Sequence, residues 1–84
     1  MKKIFTEEEV IKTIVDELSL MLGLPAEAID TGISFETYRL NSIHAMQLLD
    51  ELEEKFNIEI SPLWIWEFPT ISSFAKQVVA ALNR

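Results

Sequence analysis

Apolar residues recur at helical spacing in three segments of this chain, and this pattern limits the folds that are open to it. The first segment begins after Thr6, and Glu9 follows three residues later in the form of a capping box. Gly23 and Pro25 are signals that end a helix. The apolar positions between these signals are Val10, Ile11, Ile14, Val15, Leu18, Met21 and Leu22. The pattern therefore predicts an amphipathic helix up to Leu22.

The second and third periodic segments have their own start signals. The second begins at Ser42 and runs to about Phe56, with an apolar stripe formed by Ala45, Leu48, Leu49, Leu52 and Phe56. The third follows Thr70, a residue type that favours the N-cap position. Its inward-facing residues are predicted to be Ile71, Phe74, Ala75, Val78 and Leu82.

Two connections join these helices. The first, from about Leu24 to Leu40, is long for a small domain and needs apolar anchors, which we predict to be Ile29, Ile33, Phe35 and Tyr38. The second contains "NIEI", read as an extended connector, and "SPLWIW", in which Ser61 and Pro62 predict the start of one short helix. The expected fold is all-α, a small four-helix bundle with three long helices and one short one.

The amino-acid composition limits the classes of function that are open to this chain. The 84 residues suit a single domain over residues 1–84, and the absence of cysteine leaves no thiolate metal site or disulfide. The net charge of −7 argues against nucleic acid and against anionic membranes, and favours a partner with a basic docking patch. No apolar run is long enough to span a bilayer, and three glutamates follow the N-terminal lysines where a signal peptide would be apolar. We expect a cytoplasmic monomer. The sequence leaves a free-standing protein and an excised domain both open, and the initiating methionine and the capped first helix favour the former.

The predicted second helix also has an unusual outer face. Ile43 lies opposite the apolar stripe, beside the polar residues Gln47, Asp50 and Glu54, while Met46 lies at the border between the faces. Taken alone, Ser42 is an ordinary N-cap and a single exposed isoleucine needs no explanation. Together with the acidic residues they indicate a docking surface. The helix N-terminus also suits an anionic group such as a phosphodiester on Ser42.

The stretch "YRLNSIHAMQLLDELEEKFNIEISPLWIWEFPTISSFA" resembles the core of an acyl carrier protein of the polyketide and fatty acid synthase family. In that family an Asp-Ser-Leu or Asp-Ser-Ile triplet opens the second helix, and the triplet here is Asn41, Ser42 and Ile43. "LEEKFNIEIS" and "WEFPTI" resemble the family's helix end and its approach to the last helix. The resemblance covers residues from about Ile33 to Leu82.

The resemblance implies a non-catalytic carrier. Ser42 would bear a covalent 4′-phosphopantetheine arm installed by a phosphopantetheinyl transferase, and acyl or polyketide intermediates would be carried on it as thioesters. The expected partners are a ketosynthase, an acyltransferase or other synthase enzymes with basic docking patches. The expected partner interface is formed by Asn41, Ile43, Met46, Gln47, Asp50 and Glu54. On this reading Ile43 faces outward because a partner contacts it.

Two residues depart from the family pattern. Asn41 replaces the usual aspartate, which removes a negative charge beside the attachment point. Arg39 stands where glycine is usual, which allows a different path for the loop before Ser42. Neither change removes the hydroxyl.

The sequence supports other functions less well. Ser42 and His44 invite a hydrolase interpretation, but residues two apart on a helix point in different directions. A metal site has one histidine and no cysteine to draw on. The alternatives that remain are an unmodified helical protein–protein interaction module with the same fold, and a peptidyl or aminoacyl carrier.

The two tryptophans are predicted to differ in environment. Residues two apart diverge by roughly 200° on a helix, so Trp64 and Trp66 cannot share a side. We place Trp66 in the core, where the chain closes against the last helix. Trp64 is then the exposed residue, and it is expected to line the groove that receives the cargo.

Overall fold

The computed structural model describes residues 4–83, which form four helices in the order expected. They are α1 (Glu7–Leu22), α2 (Ser42–Phe56), α3 (Trp64–Glu67) and α4 (Ile71–Leu82). Within residues 4–83 no strand forms, and a single isolated antiparallel bridge joins Ser34 to Thr70. The predicted fold, with three long helices and one short one, is confirmed.

The ends of α1 and α4 follow from local chemistry. The Thr6 hydroxyl accepts a hydrogen bond from the Glu9 N–H at 3.2 Å, and Gly23 ends α1 in the left-handed conformation at φ 67°. At α4 the Thr70 hydroxyl accepts from the Ser73 N–H, and the Ser73 hydroxyl in turn accepts from the Thr70 N–H. Each helix therefore starts where the sequence predicts.

The core lies between the three long helices. α1 packs mainly against α4 and also against α2, and the predicted apolar stripes face inward. Within the described residues the fully buried side chains include Val10, Ile14, Leu18, Leu48, Leu49, Leu52, Ile71, Phe74, Ala75 and Val78. Phe35, from the long connection, meets Phe74 edge to face with ring centroids 5.6 Å apart. This contact joins the loop before Ser42 to the core.

The long connection contains two 3₁₀ turns, Ala26–Ala28 and Phe35–Tyr38. Ile29 and Phe35 are buried, and the Tyr38 hydroxyl donates to the Asp30 carbonyl, so these three residues anchor the loop as predicted. The fourth predicted anchor, Ile33, is wrong, because its side chain is 37% exposed. The Asp30 side chain accepts the Gly32 N–H in a tight turn, and Ile33 follows that turn on the outside.

The short helix departs from the prediction in two ways. It begins at Trp64 rather than at Pro62, because Ser61 caps a turn by accepting the Leu63 N–H at 3.2 Å. The tryptophans are also reversed: Trp66 is 76% exposed, whereas Trp64 is partly buried against the core. The predicted burial of Trp66 in the core is therefore wrong. Trp64 is not the exposed tryptophan that was expected to line the cargo groove.

The physical reason is that Ile65 and Phe68 close the bundle at this point. They are three residues apart and so share one side of the helix, where Ile65 is 7% exposed and Phe68 packs against the core. Trp66, one position after Ile65, is turned out of that contact.

The first and last described segments of the chain meet beside Phe56, at the C-terminal end of α2. Phe5 and Asn83 exchange two hydrogen bonds, and the Phe5 ring contacts Phe56 edge to face at 5.3 Å. No helix in the described part of the chain combines the length and apolar content that crossing a membrane requires.

Candidate functional site

Ser42 is the first residue of α2, and its side chain is exposed. The chain contains six serines, and Ser42 is the one among them that lies in an exposed position. Its hydroxyl makes no hydrogen bond with any residue between 4 and 83. The hydroxyl is therefore accessible to another molecule.

Asn41, not Ser42, is the N-cap of α2. The Asn41 Oδ1 atom accepts the His44 N–H at 2.8 Å, and its carbonyl accepts the Ala45 N–H at 2.9 Å. Interpreting Ser42 as an ordinary N-cap is therefore wrong, since the cap lies one residue earlier. An amide oxygen caps a helix as an aspartate oxygen does, so Asn41 loses the charge of an aspartate but keeps its structural role. Among the first backbone donors, the N–H groups of Ser42 and Ile43 stay unpaired within the described residues.

Arg39 adopts the left-handed backbone conformation, at φ 56° and ψ 38°, at the end of the second 3₁₀ turn. Glycine reaches this conformation without steric cost, whereas an L-residue does not. The loop at this position thus takes a turn that suits glycine, although arginine occupies it.

The outer face of α2 is exposed as predicted. Ile43 is 74% exposed and Met46 47%, and both border a shallow groove with Ser42, Gln47 and Asp50. The groove has a volume of about 500 Å³. Glu54 is exposed one turn beyond Asp50 on the same face. Asn41 does not line this groove.

A second cavity, of about 380 Å³, opens on the other side of Ser42. It lies between the second 3₁₀ turn, the start of α2 and the α3–α4 junction. Its lining residues are Ser34, Phe35, Glu36, Leu40, Asn41, Ser42, Ala45, Ile65, Trp66 and Pro69. Trp64 is not among them. In a helix of only four residues no local signal distinguishes Trp64 from Trp66, so the sequence could not place Trp66 on this side.

His44 lies at the edge of the core face of α2, half-buried, with its Nδ1 atom enclosed and without a partner among the described residues. No hydrogen bond joins its ring to Ser42 within residues 4–83. The arrangement of nucleophile and base that a serine hydrolase uses is therefore not formed in this part of the chain.

Comparison with known proteins identifies the family. Residues 12–78 match the family model described as "phosphopantetheine attachment site". The chain belongs to this carrier protein family. The cofactor of the family is 4′-phosphopantetheine.

The curated relatives are very large enzymes, and this chain matches a short segment of each. Polyketide synthase PksL of Bacillus subtilis is 32% identical over 72 residues, which cover 86% of this chain. The chain spans only 2% of the length of that relative. As a carrier domain of a polyketide synthase, the matched segment works with synthase enzymes.

Two solved structures share the fold along nearly their whole length. A free-standing peptidyl carrier protein of Acinetobacter baumannii has a TM-score of 0.85 and 28% identity, covering 90% of this chain and 95% of its own. An acyl carrier protein of Anabaena with a variant phosphopantetheinylation-site sequence has a TM-score of 0.85 and 29% identity, covering 98% and 97%. This chain is a carrier protein, similar to both the acyl and the peptidyl type.

Proposed function

We propose that Ser42 bears the 4′-phosphopantetheine arm and that the chain carries acyl or polyketide intermediates for synthase enzymes. The observation that supports this most directly is the position of Ser42, exposed at the start of α2 with an unpaired hydroxyl. When bound, the arm supplies a terminal thiol that holds cargo as a thioester. The residues of this chain fit such a group, because the unpaired N–H groups of Ser42 and Ile43 favour a phosphodiester at this helix terminus.

The proposed role is non-catalytic, with residues 1–84 acting as one carrier domain. Tethering raises the effective concentration of the cargo at each active site that the domain docks to. The bond-making steps then belong to the partner enzymes, and the domain contributes presentation of the cargo. We propose that it acts as a cytoplasmic monomer.

The proposed partners are a phosphopantetheinyl transferase and synthase enzymes such as a ketosynthase or an acyltransferase. Ile43 and Met46 offer apolar contact, and Asp50 and Glu54 offer negative charge to a basic patch. The net charge of −7 would speed the encounter with such partners. Gln47 lines the same groove, and Asn41 extends the interface beyond it.

Two alternatives remain open. A peptidyl or aminoacyl carrier is favoured by the likeness to the peptidyl carrier protein of Acinetobacter baumannii, whereas the likeness to PksL favours polyketide cargo. An unmodified interaction module would keep the same fold without the arm. Asn41 favours the second alternative, because it lacks the negative charge of the family's usual aspartate, which would attract a basic transferase to Ser42.

Intact-mass spectrometry tests the attachment. After incubation with coenzyme A and a promiscuous phosphopantetheinyl transferase, the chain should gain one phosphopantetheine, because Ser42 is exposed and unpaired. Ser42→Ala should gain nothing, whereas Ser72→Ala, at a half-buried serine of α4, should still be modified. No mass gain with several transferases would favour the unmodified module, and a gain in Ser42→Ala would assign the arm to another residue.

Surface variants test the docking face. Ile43→Glu, or Asp50→Lys combined with Glu54→Lys, should slow loading of the arm or transfer of cargo. These side chains are exposed, so the free energy of unfolding should change by no more than about 0.5 kcal/mol. Leu20→Glu is the matched control, because Leu20 is 81% exposed on α1, outside the docking face. Equal rates for Ile43→Glu and Leu20→Glu would contradict the proposed interface.

A further inference from the structure

Arg39 is the only lysine or arginine between Lys12 and Lys55, and it lies three residues before Ser42. It is exposed at the end of the second 3₁₀ turn. Consecutive Cα atoms are about 3.8 Å apart, so the Cα atoms of Arg39 and Ser42 are separated by at most about 11 Å. An arginine side chain and a group attached to the Ser42 hydroxyl each project several ångströms from their Cα atoms. The guanidinium therefore lies within reach of a group on Ser42.

The Arg39 guanidinium has no partner in the described part of the chain. Lys12 and Lys55 each form an ion pair with a helix carboxylate, with N–O distances of 3.0 and 3.1 Å. The Arg39 side chain makes neither an ion pair nor a hydrogen bond within residues 4–83, although Glu36 is exposed in the same 3₁₀ turn. The positive charge is therefore available to an anion that another group brings.

The backbone of Arg39 adds a reason to look for such an anion. Its left-handed conformation, at φ 56° and ψ 38°, costs an L-residue stability that glycine would not lose. No hydrogen bond or ion pair of the side chain within residues 4–83 offsets this cost. A residue held in a costly backbone conformation points to a function for its side chain. What arginine adds at this position is its charge.

The anion that this charge suits is a phosphodiester on Ser42. Such a group adds negative charge to a chain of net charge −7, and Asp50, which lines the groove beside Ser42, repels it. A guanidinium is planar, and its parallel N–H donors match two oxygens of a phosphate group. Asn41 and Arg39 also act in the same direction, because the first lacks a negative charge and the second supplies a positive one. The segment before Ser42 thus favours an anionic group on the hydroxyl.

We propose that the Arg39 guanidinium binds the phosphodiester of the arm on Ser42 and so fixes the direction in which the arm leaves the protein. This inference rests on the proposed attachment at Ser42. Exposed ion pairs are weak, and their usual strength corresponds to an equilibrium constant of about 1–5 for formation of the pair. Arg39 is therefore a positioning residue, which acts on the arm and takes no part in the thioester chemistry.

Nuclear magnetic resonance of the arginine side chains tests this proposal. The chain has two arginines, Arg39 and Arg84, and Arg39→Lys identifies the Nε–Hε signal of Arg39 by its loss. The protein is compared before and after loading with coenzyme A, with complete loading verified by intact mass. On loading, exchange of the Arg39 Hε proton with water should slow by about 2–6-fold, as expected for that pairing constant. The Arg84 Hε proton should keep its exchange rate.

Two further measurements assign the effect to charge. At about 1 M NaCl, where the Debye length is about 3 Å, the slowing should disappear. The ³¹P signal of the phosphodiester should shift in loaded Arg39→Gln, which removes the charge without introducing glycine. Lys76→Gln is the matched control, because it removes one positive charge from an exposed site on α4 that lines neither hollow beside Ser42. Its ³¹P signal should equal that of the parent chain, and urea unfolding curves verify that both variants are folded.

The outcomes separate this proposal from the function on which it rests. Complete loading with an unchanged Arg39 exchange rate would overturn the ion pair and leave the attachment at Ser42 intact. Equal ³¹P signals in Arg39→Gln and Lys76→Gln, or slowing that persists at high salt, would also overturn it. The absence of any mass gain would refute the proposed function itself.

Discussion

Arg39 holds a left-handed backbone conformation three residues before Ser42, and the cost of this conformation can be measured. A left-handed φ/ψ pair costs an L-residue about 1–2 kcal/mol because its Cβ approaches the following carbonyl oxygen. Glycine avoids this contact but loses about 0.5–1 kcal/mol more than alanine through its freer unfolded chain. Arg39→Gly should therefore be more stable than Arg39→Ala by about 0.5–1 kcal/mol.

The comparison of these two variants isolates the contribution of the backbone conformation at position 39 to the free energy of unfolding. Both remove the guanidinium, which makes no hydrogen bond or ion pair within residues 4–83, and both have the same charge. Urea unfolding followed by circular dichroism gives the difference, provided the m-values agree. For a domain of this size it corresponds to a rise in Tm of about 2–8 °C. At Glu36, where φ is not positive, the same pair of substitutions should favour alanine. If Arg39→Ala proves as stable as Arg39→Gly, the strain assigned to this loop is absent.

The remaining predictions concern α3 and the cap of α2. Ile65→Ala should lower the free energy of unfolding by about 2–5 kcal/mol because Ile65 is buried, whereas Trp66→Ala should change it by no more than about 0.5 kcal/mol. Equal losses in urea unfolding would contradict the orientation of α3. Asn41→Ala should cost about 1 kcal/mol through loss of the cap, whereas Asn41→Asp should retain the cap. Asn41→Asp should also load phosphopantetheine faster with a basic transferase, and a loading time course that does not differ from the parent chain would show that the charge at this position is irrelevant.

The three long helices could be predicted because their signals are local and repeated. In α1 the capping threonine, the seven apolar positions and Gly23 all indicate the same limits, and the structure has those limits. The outer face of α2 was predictable for the same reason, since fifteen residues give enough positions to define two faces. The proposed attachment residue, Ser42, followed from the family triplet together with its position at a helix start.

Where two neighbouring residues could both serve as the N-cap, the sequence alone did not predict which of them does. Asn41 and Ser42 are both good capping residues, and Asn41 takes the cap because its backbone is extended, at φ −82° and ψ 176°, whereas Ser42 is already the first helical residue. This choice leaves the Ser42 hydroxyl unpaired. The role proposed for Ser42 thus depends on the capping role of Asn41.

The burial of the two tryptophans could not be predicted from the local sequence. A four-residue helix is too short for periodicity to define a face, so Trp64 and Trp66 were equally good candidates for the core. Packing against the core turned Ile65 and Phe68 inward and left Trp66 exposed, where it lines the same cavity as Ser42. The amino-acid sequence by itself determined the three long helices, the exposed outer face of α2 and the exposed position of Ser42, the residue proposed to bear the arm. The cavity was decided by tertiary structure alone, because its walls come from three separate segments whose packing no local pattern encodes.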